Sequence, residues 1–207
     1  MLANKPYVIG LTGGIGCGKS EAAQYLKSLG AAHLDADEVS RALTAEGGEA
    51  LEEIRRVFGD EYFLPDGTLD RPALGKLVFG SEPSRRALEG IIHPLVQRNM
   101  LRGMDEAAQA GARVVILDVP LLFETGMDAL CDETWALYVS RDKQVARIVA
   151  RDGLAPEDAE ARIESQMPVE QRNARATHAI DTDRPIERTR AELEQLYRAA
   201  VKRAEKN

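Results

Sequence analysis

The sequence predicts an α/β protein built on a five-stranded parallel sheet, and three observations carry that reading. Short continuous apolar runs alternate with stretches of helical periodicity, the pattern of βαβ units. A glycine-rich segment, Gly13-Gly14-Ile15-Gly16-Cys17-Gly18-Lys19-Ser20, joins the first apolar run to the first helix. One interval, from about Asp37 to Gly111, shows helical spacing and no convincing strand, so a helical insertion interrupts the alternation.

Taken in order, Tyr7-Val8-Ile9-Gly10-Leu11 is a continuous apolar run, as a strand buried on both faces requires. Ala22, Tyr25, Leu26 and Leu29 then recur at helical spacing and stop at Gly30, which reads as a C-terminal cap. Ala31 to Leu34 is a second short strand. Inside the insertion, helices are expected around Leu51-Ile54-Val57-Phe58, Leu74-Leu77-Val78 and Leu88-Ile91-Ile92, with a turn at Pro65-Asp66-Gly67. Arg113 to Asp118 is the third strand, Thr134 to Val139 the fourth, and Ala176 to Ile180 a weaker fifth. Between the last two lie a basic helix, Arg141 to Arg151, and a short helical segment bounded by Gly153 and Pro168, as a hinged lid would be. From Pro185 the chain is helical, with Ile186, Leu193, Tyr197 and Val201 on one face. The expected organisation is a core of residues 1–36 and 112–207, an insertion at 37–111 and a lid at 147–170, within one unit of 207 residues.

Composition narrows the class of function. The 27 Lys and Arg against 34 Asp and Glu leave a net charge of −7, which argues against non-specific nucleic-acid binding. The 2 cysteines, Cys17 and Cys131, are too few for a disulfide framework and point to a reducing compartment. No stretch is long and apolar enough to span a membrane, and Met1 to Pro6 lacks the apolar run of a signal peptide. A cytoplasmic chain, acting as a monomer on small molecules, is the expectation.

The glycine-rich segment matches G-x-x-x-x-G-K-[ST], with the strand before it and the amphipathic helix after it that the motif needs. Backbone N–H groups must converge on phosphate oxygens, so side chains are in the way and positive φ angles are wanted. Gly14, Ile15, Gly16, Cys17, Gly18, Lys19, Ser20 and the following Glu21 are therefore the expected ATP-binding residues. Lys19 supplies charge to the β- and γ-phosphates, Ser20 a hydroxyl for Mg²⁺, and the helix its dipole. Cys17 reads as a space-filler in the loop, although a helix N-terminus could lower its pKa. A guanine-reading N-K-x-D segment is missing: Val139-Ser140-Arg141-Asp142 has neither the Asn nor the Lys. Asp118 is followed by Val119 and Pro120 rather than the catalytic Glu of motor ATPases. Small-molecule kinases remain the best class. A kinase for another small metabolite and a regulatory nucleotide-binding protein are the competing readings.

A kinase must also orient and deprotonate an acceptor hydroxyl. Asp35-Ala36-Asp37 stands at the C-terminal end of the second strand, the edge where open α/β folds bind ligands. If the chain stays extended there, both carboxylates point the same way; if a helix starts, one of them caps it. Asp37 is taken as the base with Asp35 in support. Among Arg141, Arg147 and Arg151, the last two share a helix face, and Arg147 is the expected cation for the transferred phosphoryl; the alternative is a solvated surface paired with Asp142 or Asp152.

Together these residues resemble the dephospho-coenzyme A kinase family. The resemblance rests on Leu11 to Ser20, on Leu34-Asp35-Ala36-Asp37 with Arg41 four residues on, on His93-Pro94, and on Leu117-Asp118-Val119-Pro120-Leu121-Leu122-Phe123-Glu124. It covers about Tyr7 to Val201 and implies ATP-dependent phosphorylation of the ribose 3′-hydroxyl of dephospho-coenzyme A, the last step of coenzyme A synthesis. It implies a P-loop kinase core in three layers, with the insertion as the substrate domain and a lid. It also makes Thr12, Arg41, His93 and Leu121 candidate substrate-side residues beside Asp35. His93-Pro94 equally fits a helix-breaking turn. Two positions depart from the family: Glu21, where Thr is usual, and Ile180-Asp181-Thr182-Asp183-Arg184, where I-D-N-x-G is usual.

Overall fold

A computed structural model describes residues 5–206. Five parallel strands form one sheet in the order β2-β3-β1-β4-β5: β1 (Tyr7–Gly13), β2 (Ala32–Asp35), β3 (Val114–Asp118), β4 (Glu133–Tyr138) and β5 (His178–Asp181). The central strand β1 pairs with β3 from Tyr7↔Val114 to Leu11↔Asp118, and with β4 from Ile9↔Glu133 to Gly13↔Leu137. Every residue of β1 and β3 is buried, which is why these strands read as unbroken apolar runs rather than alternating ones.

Alternation still assigns the faces. On one, Tyr7, Ile9, Leu11, Val114, Ile116, Trp135, Leu137 and Ile180 pack against α1 (Lys19–Ser28), through Ala22, Ala23 and Leu26, and against α9 (Ile186–Ala204), through Leu193, Tyr197 and Ala200. On the other, Leu122 and Cys131 lie against Gly10. Fully burying a Leu or Ile stabilises by about 1.5–3 kcal/mol, so this cluster dominates the sheet's energetics. Beyond β4 the chain forms α6 (Arg141–Asp152), α7 (Pro156–Glu164) and α8 (Val169–Arg175) before returning as β5. The helix α8 has no counterpart in the sequence reading: it has 7 residues, mostly polar, immediately after a proline.

The chain divides into two compact units, residues 1–34 with 104–207, and residues 35–103. The second is helical, with α2 (Ala36–Leu43), α3 (Leu51–Phe58), α4 (Arg71–Gly80) and most of α5 (Glu82–Gln109). Among the described residues its strand-like pairing is limited to one antiparallel bridge, Phe63↔Leu69, around the Pro65-Asp66-Gly67 turn. The insertion ends earlier than Gly111 because α5 runs 28 residues without a break and its last turn belongs to the sheet-bearing unit.

Pro94 corrects the alternative of a helix-breaking turn at His93-Pro94, because it lies inside α5. Proline there removes one backbone hydrogen bond and crowds the carbonyl four residues back. The buried stripe of Val96, Met100 and Met104, continuing at a spacing of four residues, offsets that loss.

Candidate active site

The phosphate loop bends between β1 and α1 where two glycines adopt φ values of 77° at Gly16 and 87° at Gly18. Gly18 is the N-cap of α1, so the left-handed turn and the helix start are the same event. Lys19 and Ser20 follow in the first turn, where unpaired amides and the helix dipole favour an anion. Lys19 pairs with Asp118 at the end of β3, which also meets His33 Nε2 at 3.2 Å. Asp118 is 1% exposed, so its charge is compensated within the protein. Lys19 is thus held over the loop by a carboxylate from which a triphosphate can draw it.

Three further side chains hold the loop itself. Arg147 of α6 donates to the Gly16 carbonyl at 2.9 Å rather than pairing with Asp142 or Asp152; Asp152 takes Arg151 and Arg162 instead. Gln144 Nε2 donates to the Ile15 carbonyl at 2.6 Å, and Gln166 Oε1 accepts from the Ile15 N–H at 2.9 Å. The two peptides that flank the Ile15 Cα are therefore gripped, one from α6 and one from the segment leading into α8. The sequence reading named neither glutamine, since a Gln among polar neighbours carries no pattern of its own. Arg141 faces away, toward Glu164 and Glu160.

Cys17 is 2% exposed and fills the space under Gly13. Burial pushes its thiol up, against the pull of Lys19 and Arg172, so of the two readings Cys17 is the space-filler and not the thiol lowered by a helix start. Thr182 Oγ1 donates to the Cys17 carbonyl at 2.8 Å, which ties the loop after β5 to the phosphate loop. In that loop Asp183 is brought down to about 2 by hydrogen bonds from Lys143 and Ser140. Glu21 points to Arg190 of α9, at 3.2 Å. Thr12 is 1% exposed and donates to the Pro120 carbonyl at 2.9 Å, so its hydroxyl fixes the strand against the turn that carries the 42% exposed Leu121.

In the helical unit the chain does not stay extended past Asp35. Helix α2 begins at Ala36, and the Asp35 carboxylate accepts from Asp37 N at 2.7 Å and Glu38 N at 3.2 Å. Asp35 is the cap of the two alternatives, and Asp37 lies in the first turn. Arg41, in the last turn of α2, and His93, on α5, are both exposed.

Comparison with known proteins agrees with this architecture. A family model described as dephospho-CoA kinase matches residues 7–188. A dephospho-CoA kinase of Symbiobacterium thermophilum is 45% identical over 93% of this chain and 81% of that protein. One of Shouchella clausii is 40% identical over 95% and 98%. A crystal structure from Thermus thermophilus superposes with a TM-score of 0.79 at 37% identity, covering 92% and 96% of the two chains. The dephospho-CoA kinase of Campylobacter jejuni superposes with 0.71 at 26%, covering 94% and 97%. A P-loop three-layer sheet with a lysine-bearing phosphate loop, matched across most of its length by these proteins, places the chain in the dephospho-CoA kinase family.

Proposed function

We propose that Lys19, Arg147 and Asp37 carry the reaction that family membership assigns to this chain: ATP-dependent phosphorylation of dephospho-CoA, at the ribose 3′-hydroxyl, giving coenzyme A and ADP. The observation that supports these roles most directly is the phosphate loop, with Lys19 in the first turn of the helix after it and Arg147 bonded to its Gly16 carbonyl. Amides of Gly14 to Ser20 receive the triphosphate, and Lys19 exchanges Asp118 for phosphate oxygens. Arg147 brings a forked cation to the transferred group. Asp37 orients the acceptor hydroxyl and takes its proton as the phosphoryl arrives.

Ser20, exposed in the first turn, and Asp118 offer a hydroxyl and a carboxylate, the hard oxygen donors that suit Mg²⁺. These two residues would hold the ion, which when bound neutralises charge on the phosphates. Thr12, Asp35, Arg41, His93 and Leu121 are proposed to serve the acceptor side, Asp35 by capping the helix that carries Asp37. Residues 147–170 are proposed as a lid. A cytoplasmic monomer fits the acidic charge and two free thiols. Among the described residues no helix is long and apolar enough to cross a membrane.

Purified protein with ATP and Mg²⁺ is expected to release ADP only when dephospho-CoA is added. A panel including nucleoside monophosphates and sugar acids separates this from another small-metabolite kinase. Equal turnover with any of those acceptors, or ADP release independent of acceptor, would overturn the assignment.

A further inference from the structure

Arg172, on α8, is 4% exposed. Its Nη2 donates to the Met167 carbonyl at 2.8 Å, and its Nε is buried with no partner. Among the described residues no carboxylate forms an ion pair with it. Its Nη1 reaches the phosphate loop from the side of α8: a Cβ placed on Gly14 would lie 3.2 Å away, beside Gln144 and Gln166. A buried guanidinium in this state is costly, and proteins normally set a carboxylate against it. The other charges at the loop do not provide one. Asp118 is already shared by Lys19 and His33, and Arg147 adds a second cation at Gly16.

We propose that Arg172 is a positioning residue for the nucleotide, a buried charge behind the phosphate loop whose counter-charge is the triphosphate itself. It acts through the Gly14–Ile15 backbone rather than by touching the reacting atoms. Without nucleotide, the cation destabilises the fold. Binding the polyanion on the far side of the loop relieves that cost, so part of the affinity for ATP is stored in the empty protein. The three side chains around Gly14 then divide the work, Gln144 and Gln166 fixing the two peptides on either side of Ile15 and Arg172 setting the potential. This rests on the loop being the triphosphate site.

The test compares the wild type with Arg172→Met, Arg172→Gln and Arg172→Lys, by steady-state kinetics and by thermal unfolding with and without Mg-ADP. A pair of charges a few ångströms apart in partly buried surroundings supports an expected rise in KM for ATP of about tenfold or more in Arg172→Met. The kcat should change by less than about threefold, following the separation of ground-state binding from chemistry. The melting temperature without ligand should stay level or rise, and the upward shift produced by Mg-ADP should shrink. Arg172→Lys should recover most of the ADP-induced shift. A lowered ligand-free melting temperature with an unchanged ADP shift would overturn the proposal and leave Arg172 a structural tie to Met167. Failure of both neutral variants to fold would overturn it as well, because a charge awaiting its ligand must be dispensable to the empty protein. If wild-type protein showed no ADP-induced shift at all, the triphosphate assignment would fall first, an outcome distinct from an unchanged variant.

Discussion

Lys19 has two competing anions, the Asp118 carboxylate that holds it in this structure and the phosphates it is proposed to serve. Replacing it with Ala removes the charge on the γ-phosphoryl while leaving the loop glycines in place, and activity in an ADP-release assay should fall below detection. Asp37→Asn keeps the shape of the side chain but not its basicity. A loss in kcat on the order of 10²-fold or more, with little change in KM for ATP, is expected if it takes the hydroxyl proton. A near-normal rate would make Asp37 a residue of the α2 first turn and nothing more. Glu21 shows the limit of reading a residue in isolation. Its carboxylate beside a phosphate site looks adverse in the sequence, and the structure gives it Arg190, 169 residues away in sequence.

Asp35 acts through the helix it begins. Two amide donors at the start of α2 rely on its carboxylate, so Asp35→Ala should cost about 0.5–2 kcal/mol, read as a lower urea midpoint. A raised acceptor KM with unchanged stability would instead make it a substrate group. Most elements were legible because their signals are local: apolar runs for β1, β3 and β4, helical spacing for α1, α3 and α9, glycine at the end of α1. Two were not. Helix α8 has too few residues to show a period, and its buried Arg172 looks in sequence like any solvated arginine. Pro94 carries a strong breaker signal, and a buried stripe along α5 outweighs it.

Across the sheet-bearing unit, one buried carboxylate joins its far ends. Glu133 of β4, 5% exposed, accepts from Tyr7 of β1 at 2.9 Å and from Trp135 Nε1 at 3.0 Å, and pairs with Arg203 near the end of α9. Burial, with the hydrogen bond to Glu133, pushes the Tyr7 hydroxyl up to about 12 from 10.0. A raised pKa favours the protonated form in the folded state, so its contribution is intact below pH 10.0 and is lost as pH rises toward 12. The urea midpoint should therefore fall between those limits, and Tyr7→Phe should flatten that fall. An equal slope in both proteins would remove Tyr7 as its cause.

The sequence by itself determined the parallel sheet and the phosphate loop, because strand burial and glycine conformations are written in neighbouring residues. Only the tertiary structure decided which cations meet that loop. Arg141, Arg147, Arg151 and Arg172 are chemically alike, and what separates them is the partner each one meets in the folded chain. Glu164 takes the first, the Gly16 carbonyl the second and the neighbouring Asp152 the third, while packing buries the fourth with its Nε unpartnered.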